Sequence, residues 1–224
     1  MESGVPEVNQ RTHWDGTYAR KADFFGVEPS EFGVRAAATL AQHGLRKILE
    51  LGCGQGRDTF LFLQRGFEVT GLDYAEAGLR QMQERAAALG VEKALALQLC
   101  DVRKGLPFPD QSFDGCFSHM FFTMELREEE LQGIFGEVLR VLKPGGLNIY
   151  SVRNVHDPHF QKGNHIAEDM WQNPMGFVVH FFSPEKVERL AEGYEVQWVK
   201  EFDDPSPPFT KKLYEVVLRK PERA

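Results

Sequence analysis

A short apolar run, Lys47-Ile48-Leu49-Glu50-Leu51, ends abruptly in glycines at alternate positions, Gly52, Gly54 and Gly56, and a helix-forming stretch follows at once. A run this short, stopped by glycines, reads as a strand buried on both faces. A glycine-rich turn between such a strand and a helix lets a ligand approach the backbone closely. It also offers that ligand the free N–H groups of the helix start. This one unit already favours a parallel sheet, because strands joined through helices return in the same direction.

The alternation continues downstream. Residues 67–72 read as a second strand ending at Asp73, and residues 75–89 as a helix closed by Gly90. Residues 94–100 form a third strand ending at Asp101, and residues 113–118 a fourth. Residues 128–142 place Leu131, Ile134, Phe135, Val138, Leu139 and Leu142 on one helical face, and Pro144-Gly145-Gly146 breaks that helix before a fifth strand at 147–152. Upstream, Ser30 is a helix cap and Gly44 a helix stop. Downstream, Ser183-Pro184 starts another helix. Residues 194–202 and 213–218 read as an antiparallel edge pair, with 203–208 as a surface loop between them. Residues 153–180 are polar, rich in His and Asn, and weakly patterned, which reads as a long irregular loop of the kind that is often functional.

The chain has 224 residues, which fits one α/β domain. Hydrophobic residues make up 42% and charged residues 26%, so wholesale disorder is disfavoured. The net charge of -7 lowers the expectation of a general nucleic-acid binder, which needs a basic surface. Cys53, Cys100 and Cys116 are far apart and form no CxxC pair, so neither a disulfide framework nor a zinc site is expected. The first residues lack a basic segment followed by an apolar one, and no apolar stretch is long enough to span a membrane. A cytoplasmic protein without a membrane partner is the expectation.

The residues around the glycines narrow the ligand. Asp73, at the end of the second strand, is placed to accept both hydroxyls of a ribose. A dinucleotide fingerprint wants a third glycine where Arg57 stands, and a phosphate loop wants Gly-Lys-Ser/Thr, which is missing. Glu50, just before the loop, repels phosphate and can hold the ammonium of an amino acid. A nucleoside with an amino-acid tail and no phosphate meets these conditions, and S-adenosylmethionine is such a molecule.

Residues 46–153 resemble the class I S-adenosylmethionine-dependent methyltransferases. Residues 48–56 resemble their first motif, and Val69-Thr70-Gly71-Leu72-Asp73-Tyr74 their second. Cys100-Asp101-Val102 resembles the third, whose Asp commonly meets the adenine amino group. Residues 106–114 resemble the approach to the fourth strand, and Leu139-Arg140-Val141-Leu142-Lys143-Pro144-Gly145-Gly146 the turn before the fifth. The resemblance implies a Rossmann-like seven-stranded, mostly parallel sheet with an antiparallel last strand and helices on both faces. The chain reads as a single domain, 1–224, with an N-terminal helical cap (1–45), a cofactor core (46–153), a substrate-side lid (154–182) and a C-terminal helix with a strand pair (183–224). The resemblance implies a cofactor set of Glu50, Gly52, Cys53, Gly54, Gly56, Asp73, Tyr74, Asp101, Val102 and Ser118, with Trp14 and Tyr18 closing over the cofactor as aromatics do in some relatives. Arg57-Asp58 is locally similar to thiopurine- and tellurite-type methyltransferases. The clustered cysteines of arsenite methyltransferases are missing.

Methyl transfer is an in-line displacement that needs mainly proximity and orientation, so a missing catalytic triad does not argue against an enzyme. The acceptor belongs at the carboxyl ends of the strands. His119 is the candidate catalytic base, although the reading as an orienting residue carries more weight. Phe121, Phe122, Arg153, His156 and His180 are candidate substrate residues. The Asn/Asp-Pro-Pro-Tyr/Phe motif of many nucleic-acid and protein N-methyltransferases is missing after the fourth strand. The histidines of 153–180 lack metal-ligand spacing, so no metal is expected. A small-molecule acceptor is the leading expectation. The alternatives are an RNA or protein methyltransferase, a non-catalytic S-adenosylmethionine-binding module and a nicotinamide-dependent oxidoreductase.

Overall fold

The structure is a computed structural model that describes residues 9–206 and 209–222. The expectations for the extreme N-terminus and for residues 207–208 lie outside the described residues. A seven-stranded sheet runs in the order β3-β2-β1-β4-β5-β10-β9. Its strands are β1 (Lys47–Leu51), β2 (Glu68–Asp73), β3 (Leu95–Leu99), β4 (Phe113–His119), β5 (Leu142–Arg153), β9 (Glu195–Ser206) and β10 (Phe209–Arg219). β1 to β5 pair in parallel, and β10 is antiparallel to both β5 and β9. The mixed sheet implied by the sequence is therefore the one observed.

Strand alternation sorts the core into two layers, one on each face. Leu49, Leu51, Cys116, Tyr150 and Val152 pack with helices α5 (Glu128–Val141) and α6 (Pro184–Leu190). Ile48, Phe117, Leu147 and Ile149 pack with α2 (Glu31–Gln42), α3 (Thr59–Gln64) and α4 (Glu76–Leu89). Ser30 caps α2 by accepting from Gly33 N–H at 2.8 Å, and Gly90 closes α4 in the left-handed conformation. Helix α1 (Gln10–Arg20) lies across the start of α4, where Asp15 accepts the Ala77 N–H at 2.8 Å.

Two segments differ from the sequence reading. Residues expected as an irregular loop contain a small antiparallel sheet of β6 (Asn164–Ala167), β7 (Met170–Gln172) and β8 (Val178–His180). These strands are too short to show a periodicity, and β6 is mostly exposed, so no apolar alternation marked them. The polar stretch at 203–206, expected as a surface loop, continues β9 instead. Asp203 faces Lys212 and Asp204 faces Lys211 in register, with ion pairs at 2.7 and 3.2 Å. Opposite charges directly across the pair make a polar extension of the hairpin tolerable. β9 is the edge strand, where Pro205 removes no needed ladder bond.

α4 sits close to the glycine turn only because Gly78 has no side chain. A Cβ there would stand 2.6 Å from the Gly54 carbonyl oxygen. Gly136, in α5, meets nothing within 4 Å. Gly78→Ala is therefore expected to destabilise by about 1–3 kcal/mol, whereas Gly136→Ala stabilises by about 0.5–1 kcal/mol through helix propensity alone. Denaturant melts of the two variants check this, and a stabilised Gly78→Ala variant would refute the close packing.

Candidate cofactor and acceptor site

β1 lies between β2 and β4, the point where strand order reverses, so a crevice opens at the carboxyl ends of these strands. Gly52 and Gly54 line it at φ +68° and +55°, a region that favours glycine. A Cβ on Gly54 would stand 2.8 Å from the Tyr18 Oη, so that position has no room for a side chain. Asp73 fixes the turn. Its Oδ2 accepts the Gly54 N–H and its Oδ1 the Ala75 N–H, both at 2.8 Å. Burial raises the Asp73 carboxyl above its usual range, against the backbone N–H groups that hold it down.

Two adjacent spaces with walls in common result. A large cleft of about 1020 Å³ is bounded by Leu72, Asp73, Tyr74, Asp101, Val102 and Phe121 at one end. α1 and the small sheet bound the rest through Trp14, Met170, Phe177 and Val179. A compartment of about 80 Å³ is lined by Glu50, Cys53, Gly54, Arg57 and Asp58. Tyr18, Phe25, Gly52, His119 and Met120 form walls of both. Glu50 is buried, and its Oε2 accepts the Thr59 hydroxyl at 2.6 Å. Burial, then the nearby Asp58 and Asp73, push its carboxyl up to about 8 against that hydrogen bond.

The donor set fits S-adenosylmethionine end to end. Asp73 has lone pairs left for ribose hydroxyls. Val102 and Phe121 offer apolar surface for a base, Arg57 offers a positive charge to a carboxylate, and Glu50, protonated up to about 8 in the free protein, would hold an ammonium by giving up that proton. Asp101 is less free than the resemblance implied. Arg103 grips it through Nε at 2.8 Å and Nη2 at 2.7 Å, and these bonds hold its carboxyl below the usual range. An adenine amino group would use the remaining lone pairs.

Among the candidate residues, Glu50, Gly52, Cys53, Gly54, Asp73, Tyr74, Asp101, Val102, Trp14, Tyr18, His119, Phe121 and Arg153 all line one space or the other. Gly56 does not; a Cβ there would meet Met82 and Phe60, so it serves helix packing. Ser118 shares the strand parity of Cys116 and is buried on the α5 side, away from both spaces. Phe122 is a core residue between Phe135 and Tyr150. His156 is exposed and pairs with Glu201 at 2.7 Å. His180 is buried, with its Nδ1 2.6 Å from the Leu126 carbonyl oxygen and its Nε2 2.6 Å from Lys186 Nζ. These five are corrections to the expected set: four turn on strand parity or packing, and His156 on an exposed pairing with Glu201, none of which a linear motif records. Conversely, Met120, Arg103, Met170, Phe177 and Lys211 line the cleft without having been singled out. The left-handed φ of Met120, 55°, is what turns the chain from β4 into the site. No group of three or more metal-ligating side chains gathers among the described residues. No helix among them is long and apolar enough to cross a membrane.

Residues 48–146 match the methyltransferase domain family. A segment of 123 residues is 37% identical to the biotin biosynthesis bifunctional protein BioHC of Teredinibacter turnerae, covering 52% of this chain and 20% of that protein. A segment of 172 residues is 24% identical to the tRNA N(3)-cytidine methyltransferase METTL2 of Gallus gallus, covering 70% of this chain and 45% of that one. The chain thus spans less than half the length of these curated relatives. The fold is that of a Burkholderia thailandensis 1,6-didemethyltoxoflavin-N1-methyltransferase solved with bound S-adenosylhomocysteine. That similarity has a TM-score of 0.68 at 19% identity, over 95% of this chain and 87% of that one.

The raised Glu50 carboxyl has a signed consequence. A carboxyl near 8 favours the folded state while protonated, so its stabilising share is present at low pH and is lost as pH rises from the ordinary carboxylate range toward 8. Glu50→Gln is expected to melt above the wild type at about pH 8.5, with the gap closing toward about pH 5. The variant also binds S-adenosylhomocysteine more weakly, since a neutral amide holds an ammonium less well than a carboxylate. A melting gap independent of pH would refute the assignment.

Proposed function

We propose that this chain, whose residues 48–146 match the methyltransferase domain family, is an S-adenosylmethionine-dependent methyltransferase that transfers a methyl group to a small-molecule acceptor. The observation that carries this reading is the extent of the large cleft. Beyond the cofactor-facing residues it continues into a chamber walled by Trp14, Met170, Phe177 and Val179. Its volume of about 1020 Å³ is at the upper end for a small-ligand site, enough for a nucleoside and a second small molecule.

The bound cofactor supplies an activated methyl group. The chain supplies position and exclusion of water. Asp73 takes the ribose hydroxyls, Glu50 and Arg57 take the two ends of the amino-acid tail, and Trp14, Tyr18 and Phe121 close the apolar walls. These roles correspond to proximity and orientation, which suffice for a displacement on a sulfonium. An RNA acceptor would need a basic groove that tracks a phosphate backbone. The chain's net charge of -7 favours the small molecule, and the basic residues of the cleft, Arg11, Arg103, Arg127, Arg153 and Lys211, alternate with Asp73, Asp101, Glu125 and Glu130 rather than forming a uniformly basic track.

Calorimetry with S-adenosylmethionine, S-adenosylhomocysteine and NAD tests the cofactor. Binding of NAD without the other two would overturn the proposal. Asp73→Ala removes the acceptor of two backbone N–H groups as well as the ribose contact, and is expected to weaken S-adenosylhomocysteine by at least roughly 10- to 100-fold. A radiolabelled methyl-transfer screen over thiols, phenols, carboxylates and amines, with an RNA pool as comparison, then tests the acceptor class. Transfer to RNA alone would refute a small-molecule acceptor.

A further inference from the structure

Helix α1 ends at Arg20, and the chain crosses to α2 through residues 21–30. Residues 21–28 of this crossing are exposed, Phe24 at 38% and Phe25 at 44%, so apolar burial holds them only weakly. The crossing nonetheless walls the site. Phe24 and Phe25 line the large cleft, and Phe25 and Gly26 line the small compartment.

Two glutamine side chains fasten it. Gln55 stands between Gly54 and Gly56 on the glycine turn. Its Oε1 accepts the Phe24 N–H at 2.8 Å, and its Nε2 donates to the Lys21 carbonyl at 2.8 Å and to Gln81 Oε1 at 2.6 Å. Gln81, on α4, donates its own Nε2 to the Tyr18 carbonyl at 2.8 Å. The Tyr18 and Lys21 carbonyls belong to the end of α1, where helix carbonyls have no partner within the helix. The two amides supply those partners from outside. The backbone also fixes which way the Gln55 amide points. Turned over, it would set N–H against the Phe24 N–H and oxygen against the Lys21 carbonyl. Gln55 is the sole hydrogen-bond acceptor of the Phe24 N–H among the described residues.

This grip carries through to the rings over the site. Tyr18 is wedged onto two glycines. A Cβ on Gly54 would stand 2.8 Å from its Oη, and one on Gly78 would stand 3.0 Å from its Cδ2. The Trp14 ring centroid lies 5.6 Å from that of Tyr18 and 5.6 Å from that of Phe25. Tyr18 and Phe25 wall both spaces. The turn thus gives its backbone to the crevice and its one long side chain to the cap, and ordering either orders the other.

We propose that Gln55, braced by Gln81, is a latch that couples the glycine turn to the N-terminal cap, holding Tyr18 and Phe25 over the amino-acid tail of the bound cofactor and slowing its release. This rests on the methyltransferase reading above. Both Gln55 amide protons are taken by Lys21 and Gln81, so Gln55 is a positioning residue that acts through Tyr18 and Phe25.

The test uses the full chain. Gln55→Glu keeps the shape and the acceptor for Phe24 but sets a carboxylate oxygen against the Lys21 carbonyl. Gln81→Glu keeps the acceptor for Gln55 and loses the bond to Tyr18. Amide exchange followed by NMR is expected to show Phe24 N–H protected in the free wild type, less so in Gln55→Glu, and further protected in the wild type by S-adenosylhomocysteine. In stopped flow, S-adenosylhomocysteine is expected to leave Gln55→Glu on the order of tenfold faster than the wild type, with Gln81→Glu between them. Adenosine, which lacks the tail, is expected to bind the wild type and Gln55→Glu nearly alike in calorimetry. An unchanged release rate, or a Phe24 exchange rate indifferent to S-adenosylhomocysteine, overturns the latch. An equal loss of adenosine and S-adenosylhomocysteine also overturns it, because the glycine turn itself is then disturbed. Failure of the wild type to bind S-adenosylhomocysteine at all overturns the methyltransferase reading instead. The hydrogen bonds of the latch are read apart from that, in the free proteins, where equal Phe24 exchange in the wild type and Gln55→Glu would sink them.

Discussion

The carboxylate of Asp73 is the tie on which the rest of the site depends. One oxygen holds the Gly54 N–H of the turn after β1, and the other holds the Ala75 N–H at the entry to α4. Two neighbouring parallel strands, the glycine turn and a helix start are thereby held in one geometry. The backbone groups it satisfies would otherwise be orphans of a helix start and a tight turn. Its burial disfavours the charge, and the same N–H groups offset that cost. Gly78 completes the arrangement, since its bare Cα lets α4 reach the turn.

Around that centre the lining is mixed. Glu50 and Arg57 line the small compartment, and the large cleft sets Trp14, Met170 and Phe177 beside Arg11, Glu125 and Arg127. The outer chamber is roofed by elements from distant parts of the chain. α1 contributes Trp14 and Tyr18, the small sheet contributes Met170 and Val179, and the turn before β8 contributes Phe177. A buried contact set fixes one edge of that roof: Lys186 pairs with Asp169 at 2.9 Å and contacts His180, which in turn contacts Leu126. Such a network ties this segment to α6 and to the turn before α5.

Much of the cofactor half was legible in the linear chain because its residues are local to strand ends. Glu50, Gly52, Gly54, Asp73 and Asp101 each sit at or beside the carboxyl end of a strand, and spacing alone brings those ends together in a parallel sheet. The residues expected on the acceptor side divide. His119 and Phe121 follow β4 and line the cleft. Ser118 and Phe122 follow the same logic of proximity but face the core. A strand sends adjacent side chains to opposite faces, so a one-residue difference decides site from core.

By itself the sequence determined the alternating α/β order, the caps at Ser30 and Ser183, the late strand pair and the class of cofactor. Those features are set by local chemistry, in short buried strands, helix periodicity, turn glycines and carboxylates at strand ends. Only the tertiary structure decided that the polar segment after β5 folds into a second small sheet, that Asp203 and Asp204 extend a hairpin by facing Lys212 and Lys211, and that His180 and Lys186 are buried together. It alone also set Ser151 against His119. Each of these pairs residues distant in sequence, and their energies come from burial and register, which no local pattern encodes.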